Sequence, residues 1–449
     1  MPLPEIFTER MKSWLGTEYP DFEAALGQPP PVSIRYNPAK PSDRFPDSAK
    51  VPWHPSGRYL PERPSFTLDP AFHGGAYYVQ EPSSMFLFEA LRQTVDLTKK
   101  LRVLDLCASP GGKSTLLLSA IHEKGFVLAN EAIRSRVGAL NQNMAKWGHP
   151  NQAVANHDPA DFAGLEGFFD VVLIDAPCSG EGLFRKDPNA VNEWSVKNLE
   201  LCSARQQRIL QTAKNLVKPG GVLVYSTCTF NPDENEKNME WLIAEGGFEH
   251  CLLQLEESWG IVEMEKGYQF YPHKTRGEGF YIACLRKKED AQASRFYQNL
   301  PAFKQWRRLG SNEVAVLEPW IKDVGQFVFF EKPDQMITAV PESQLEDFEA
   351  IGQVLSRRAF GLNIGVFKKK DFVPSHELAL SLAVHPQLPF MAMDKDMAIS
   401  YLRKENFLTD AKGRGWHLAK LNGINLGWMK LLDNRINNYL PGDWRIRMK

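Results

Sequence analysis

From Leu101 onward the chain alternates short apolar runs with longer amphipathic stretches, and this restricts the fold more than any other feature. RVLDLCA, GFVLANE, QAVANHD, FDVVLIDAP and GVLVYSTCTF read as strands. Between them, STLLLSAIH, RSRVGALNQNMAKWG (stopped by Gly148) and a stretch from about Leu199 to Val217 read as helices. FDVVLIDAP is almost continuously apolar, the pattern of a strand covered on both faces. Strand–helix alternation of this kind predicts an α/β fold with a doubly wound, Rossmann-like parallel sheet. Two later runs, HCLLQL and GFYIACLRK, are expected to close that sheet. Ligands of such sheets bind beyond the carboxyl ends of the strands, so those ends are searched first.

At 449 residues the chain is long enough for several domains. A small α+β lead-in domain is expected over 1–95, with a helix from Glu5 to Leu15 and a strand in VSIRYNP. The α/β core is placed at 96–287, and the polar KKEDAQASR at 287–295 reads as a linker. Two C-terminal modules of mixed α/β character follow, at 296–385 and 386–449. No apolar run reaches membrane-spanning length and the N-terminus lacks secretory features, so a cytoplasmic protein without membrane contact is expected. A monomer is expected. The six cysteines include no CxxC pair, so no metal site is expected. The net charge of −1 does not exclude nucleic acid, because a local basic face is enough. Tyr401 to Lys449 carries such an imbalance, with ten Lys/Arg against four Asp/Glu.

DLCASPGGKST follows a strand and opens a helix, as a ligand-cradling turn does. A phosphate-binding loop requires G-x-x-x-x-G-K-[ST], and the first glycine position is Cys107. The alternative is an adenosine-bearing cofactor without a triphosphate. Glu131 ends the second strand, where a carboxylate accepts bonds from ribose hydroxyls, and Asp158 ends the third, within reach of an adenine. Each alone is an ordinary polar strand end; their ordered recurrence favours the cofactor.

DAPCSGEG ends the fourth strand and STCTF the fifth, so Cys178 and Cys228 stand at one sheet edge. Neighbouring strands lie about 4.8 Å apart, which lets two thiols share a pocket. Carbon 5 of a cytosine accepts a methyl group only after a thiolate has added to carbon 6. Asp175, three residues before Cys178, suits the ring edge where charge develops. Cys202, Cys251 and Cys284 read as packing residues and Cys107 as structural. These readings do not decide which of the two thiols attacks.

DLCASPGGKS, NHD, DAPCSGEG and STCTF together resemble the motif set of the Nop/Sun (Fmu-type) RNA 5-methylcytosine methyltransferases, over about residues 30–287. The usual turn is CAAPGGK, and Ser109 replaces its second alanine. The resemblance implies a class I methyltransferase core using S-adenosyl-L-methionine. It implies that Cys107, Ala108, Ser109, Pro110, Gly111, Gly112 and Lys113 surround the methionine and ribose, with Glu131 at the ribose and Asp158 near the adenine. It implies that Asp175 serves cofactor and base, that Cys228 is the nucleophile and that Cys178 releases the product. Arg35 and Asn37 of SIRYNP resemble the family's lead-in, implying RNA contact and support of the pocket, with a plain folding role an equal alternative for Arg35. The tail GINLGWMKLLDNRINNYLPGDWRIR is similar to the PUA-like ending of the bacterial RsmF type. Its Trp428, Lys430, Arg435, Tyr439 and Trp444 mix aromatic and basic character, as RNA-binding surfaces do. The charge excess favours RNA binding for the domain as a whole, whereas each Trp taken singly reads rather as the core of a small barrel. The expected substrate is 16S ribosomal RNA or its assembly intermediate. Transfer RNA is the runner-up, and an inactive assembly factor is disfavoured by the intact Cys178, Cys228 and Asp175.

Overall fold

The computed structural model describes residues 3–121, 123, 125–289, 305–369, 371–405, 413–433 and 435–448. Seven strands make the larger part of the ten-stranded main sheet: β1 (Arg102–Asp105), β2 (Phe126–Asn130), β3 (Gln152–Ala155), β4 (Phe169–Asp175), β5 (Val217–Thr227), β6 (Gly267–Phe270) and β7 (Phe280–Lys287). They lie side by side in the order β3-β2-β1-β4-β5-β7-β6. The first five are parallel and β7 is antiparallel to β5. The order reverses between β1 and β4, so the carboxyl ends of these strands flank the crevice where such sheets bind ligands.

Val171, Val172, Leu173 and Ile174 of β4 are fully buried, two toward each helical layer. Burying side chains of this size contributes about 1.5–3 kcal/mol each. The helices are Gly112–Ile121, Arg134–Trp147 and Val196–Leu216. The second ends at Gly148, whose φ of 87° is left-handed; a Cβ there would meet the Leu380 carbonyl at 2.6 Å.

One sheet-closing strand falls as expected and the other does not. GFYIACLRK is β7, but HCLLQL supplies only the end of the short strand Phe248–His250, and β6 takes the place expected for it. In the sequence Gly267–Phe270 is too short and too polar at Gln269 to stand out. At the opposite edge, Arg358–Phe360 pairs antiparallel with β3, so a strand from beyond residue 296 extends the core sheet.

The N-terminal helix Glu5–Leu15 buries Phe7 and Met11, one turn apart, against Phe184, Trp194 and Phe230. A four-stranded sheet follows, ordered Ala49–Lys50, Gly57–Leu60, Val32–Tyr36, Tyr77–Val79. Beyond the core lie a five-stranded sheet between Arg307 and Pro374 and a four-stranded sheet between Phe390 and Asn438. The linker expected at 287–295 lies outside the described residues from 290 onward. No described helix is long and apolar enough to cross a membrane.

Candidate active site

β4 and β5 run parallel with Asp175 opposite Ser226, which brings the two cysteine loops off the same edge. The sulfurs of Cys178 and Cys228 lie 3.0 Å apart, and the Cys228 amide donates to Cys178 Sγ at 3.3 Å. Both residues are half-buried and both thiols are free. The Cys178 thiol is pushed well above the usual range, first by its hydrogen bond with Cys228 and then by burial. Glu234 raises it further, whereas the Lys113 ammonium feels the charge of Cys228.

Asp175 is held from two sides. Ser226 Oγ donates to its Oδ1 at 2.9 Å and Lys113 Nζ lies 2.8 Å from its Oδ2. Burial opposes the Lys113 charge, but Asp175 and Asp105 more than offset it and raise the ammonium above its ordinary value. Lys113 therefore stays charged between the turn and the thiols.

The turn itself, Cys107 to Lys113, joins β1 to the helix that starts at Gly112. Gly111 has φ 109°, a left-handed conformation that favours glycine. Ser109 is stitched to the next helix: its Oγ donates to the Arg136 carbonyl at 3.0 Å, and Arg136 Nη2 donates to the Ser109 carbonyl at 2.8 Å. Burial raises the Cys107 thiol, in keeping with a structural part.

The acidic strand ends differ from one another. Glu131 is buried, accepts from the Ile133 amide at 2.8 Å, and has Arg136 Nη1 3.6 Å from its other oxygen. Asp158 is half-exposed, caps the short helical turn Pro159–Phe162 through the Ala160 amide, and accepts from Arg208 Nη1 at 3.1 and 3.2 Å. One of these bonds is local and the other reaches the helix Val196–Leu216. Asn130, which the sequence did not single out, ties the strand ends together by donating to the Leu106 and His157 carbonyls and accepting from the His157 amide.

The residues of this cleft fit an adenosine-bearing cofactor. Asp105 Oδ1 is buried with no hydrogen-bond partner among the described residues, while Oδ2 accepts from Ser114 Oγ at 2.6 Å. Burial, the main cause, raises the Asp105 carboxyl to about 7. An unpaired buried oxygen beside a glycine turn and a buried Glu131 is what a polar ligand would complete.

Of the roles open to Arg35 and Asn37, contact with RNA is not met, and the folding role considered for Arg35 is. Arg35 is fully buried, donating to Gln80 Oε1 at 2.8 Å and to Thr115 Oγ1 at 2.7 Å, with its guanidinium 4.4 Å from the Trp147 ring. Asn37 is buried too and donates to the Gly75 and Trp147 carbonyls. Both tie the N-terminal sheet to the core and neither is open to RNA. In the tail, Trp428 is buried and donates to the Ser375 carbonyl at 2.7 Å, so it is core. Trp444 packs on His376 at 4.6 Å. Lys430 lies over Trp416 at 5.3 Å, Trp416 meets the exposed Tyr439 at 4.3 Å, and Arg435 is exposed nearby in the sheet. Trp416 was not singled out in the sequence because it lies upstream of the tail motif.

Among the described residues no cluster of His, Cys, Asp and Glu is arranged to hold a metal ion. The family description "16S rRNA methyltransferase RsmB/F" matches residues 92–286. The RsmF N-terminal domain matches residues 3–82 and the RsmF PUA domain residues 389–446. Ribosomal RNA small subunit methyltransferase F of Aliivibrio salmonicida is 31% identical, over 98% of this chain and 97% of its own. The enzyme of that name from Cronobacter sakazakii is 37% identical over 64% of this chain and 63% of its own. Among solved structures, a methyltransferase homolog from Pyrococcus horikoshii is 26% identical with a TM-score of 0.55, covering 63% of this chain and 95% of its own. NSun6 from the same organism, solved with SFG, shares the fold at 22% identity and a TM-score of 0.54, covering 64% of this chain and 99% of its own. The full-length match to curated relatives and the three family descriptions agree: the chain belongs to the RsmF family of 16S ribosomal RNA methyltransferases.

Proposed function

We propose that this methyltransferase uses S-adenosylmethionine to form 5-methylcytosine in 16S ribosomal RNA through a covalent bond from Cys228 to the base. The observation that carries the reading is the pair of free thiols 3.0 Å apart at the carboxyl edge, beside Asp175 and Lys113. A methyltransferase acting on an oxygen or an amino nitrogen has no use for two adjacent thiols.

The turn from Cys107 to Lys113, with Glu131 and Asp158, holds the cofactor, which supplies an electrophilic methyl group. The Cys228 thiolate adds to carbon 6 of the cytosine, and the ring becomes nucleophilic at carbon 5. Asp175, fixed by Lys113 and Ser226, faces the ring edge where charge develops. Once carbon 5 is methylated, its proton leaves, the bond from carbon 6 to Cys228 breaks and the ring double bond re-forms. Cys178, held protonated beside Cys228, serves that release by passing its proton to the departing sulfur and taking up the one that leaves carbon 5. Lead-in, core and two C-terminal modules, at 1–95, 96–287, 296–385 and 386–449, are read as the working units. The C-terminal PUA unit grips RNA through the Trp416, Tyr439, Lys430 and Arg435 face.

The test is to incubate the protein with methyl-labelled cofactor and total RNA from cells lacking the gene, then hydrolyse to nucleosides. Label in 5-methylcytidine of 16S RNA is the expected result. Label in another nucleoside overturns the chemistry, and label confined to transfer RNA overturns the substrate.

A further inference from the structure

The two thiols stand on separate loops, yet both loops are tied to one dipeptide. Glu234 is fully buried and accepts three bonds: from the Ser179 amide at 2.9 Å, Ser179 Oγ at 2.5 Å and Gln206 Nε2 at 2.9 Å. The same Gln206 Nε2 lies 3.0 Å from the Pro177 carbonyl. The residues on either side of Cys178 therefore end on Glu234 or on its partner. Asn235 is also fully buried; it accepts from Thr227 Oγ1 at 2.6 Å and donates to the Thr229 carbonyl at 3.1 Å. The residues on either side of Cys228 thus both end on Asn235. Ser179 Oγ and Thr229 Oγ1 meet at 3.0 Å and close the ring of contacts.

The dipeptide itself is fixed from behind. Tyr225 OH and Asn238 Nδ2 both donate to the Glu234 carbonyl, at 2.6 and 3.0 Å, and Asn238 Nδ2 also reaches Gln206 Oε1 at 3.0 Å. Bonds of this kind set the position of a reacting group to a fraction of an ångström, and they do so without touching substrate. A carboxylate suits the Cys178 side, because all three of its partners are donors. An amide suits the Cys228 side, because it must accept from one flank and donate to the other.

We propose that Glu234 and Asn235 are separate positioning residues for the two halves of the reaction, Asn235 aiming the attacking thiol and Glu234 the releasing one. The inference rests on the two-thiol reading above. It adds that attack and release are set by neighbouring side chains that can be altered one at a time. Glu234→Gln keeps the volume but offers one acceptor to donors that used two oxygens, which frees the Cys178 loop. Asn235→Asp keeps the contact with Thr227 and sets an oxygen against the Thr229 carbonyl, which frees the Cys228 loop.

The experiment follows adduct and product with time, using the full chain, S-adenosylmethionine and total RNA from cells lacking the gene. Cys228→Ala and Cys178→Ala run in parallel. Glu234→Gln is expected to form the denaturant-resistant protein–RNA adduct at near the normal rate and to release product about tenfold more slowly, the effect of about one lost hydrogen bond. Asn235→Asp is expected to form adduct about tenfold more slowly, with none accumulating. Ser179→Ala and Thr227→Val remove one donor from each loop and are expected to reproduce the same split more weakly. The positioning roles are overturned if both dipeptide variants slow both steps alike, if both behave as wild type, or if the losses merely follow melting temperature. If Cys178→Ala accumulates no adduct, or Cys228→Ala still forms one, the two-thiol reading itself fails, and these controls separate that outcome from failure of the dipeptide's roles.

Discussion

The Arg35 guanidinium, on a strand of the N-terminal sheet, donates to Thr115 Oγ1 at 2.7 Å, on the helix that opens at the cofactor turn. Burial pulls Arg35 down to about 9, so the fold holds this cation against its solvation preference. Replacement by Met keeps the length and strands the Gln80 and Thr115 oxygens. We expect Arg35→Met to cost about 3 kcal/mol in urea unfolding, because the partners of a buried cation are left unpaired. A loss below about 0.5 kcal/mol refutes the strut.

The thiols separate by phenotype. Cys228→Ala is expected to abolish turnover and form no adduct, and Cys178→Ala to trap a protein–RNA adduct visible as a denaturant-resistant gel shift. The reverse pattern assigns attack to Cys178.

Ser109 departs from the usual alanine, yet its hydroxyl is spent on the Arg136 carbonyl. Ser109→Ala is expected to lower stability by about 1 kcal/mol and leave cofactor affinity unchanged, as read by thermal melting and calorimetric titration. A tenfold loss of affinity places the hydroxyl on the cofactor instead.

Trp428 and Tyr439 are predicted to part ways. Trp428→Ala removes a buried indole and is expected to destabilise by about 3–5 kcal/mol. Tyr439→Ala is expected to leave melting unchanged and weaken RNA binding by about 1–3 kcal/mol, as one stacked base is worth. Filter binding and calorimetry on both variants distinguish the roles, and Tyr439→Ala binding at wild-type strength rules out this face.

Burial, with Lys146 and Lys40 nearby, holds His376 at about 3 against an ordinary 6.5. The folded chain keeps this ring neutral, while the unfolded chain takes up a proton below pH 6.5. Stability from this group is full above pH 6.5 and is lost as pH falls from there toward 3, at up to about 1.4 kcal/mol per pH unit. His376→Gln is expected to flatten that limb in urea titrations between pH 6 and 4; an unchanged slope excludes His376 as its source.

The parallel strands, the glycine turn and both cysteine loops were legible because apolar runs and strand-end residues are local patterns. Gly267–Phe270 and Arg358–Phe360 were not, since each becomes a strand only when a neighbour offers an open edge. Arg35 and Asn37 were left between RNA contact and a role in the fold because nothing local announces that other elements will cover them. Glu234 and Asn235 sat in plain view six and seven residues after Cys228, but their bonds to Ser179 and Thr227 exist only after the fold forms.

The pairing of Arg358–Phe360 with β3 gives the C-terminal region a hydrogen-bonded register with the catalytic sheet. Phe360 stacks on Phe348, and Asp347 pairs with Arg102 at the root of β1. A tail grafted in this way works as a jig, not as a leash. On the function proposed above, RNA held at Tyr439 would meet Cys228 at one gauge length, so that the target base would be chosen by how the folded RNA spans that interval, and lengthening the protein there would shift the choice.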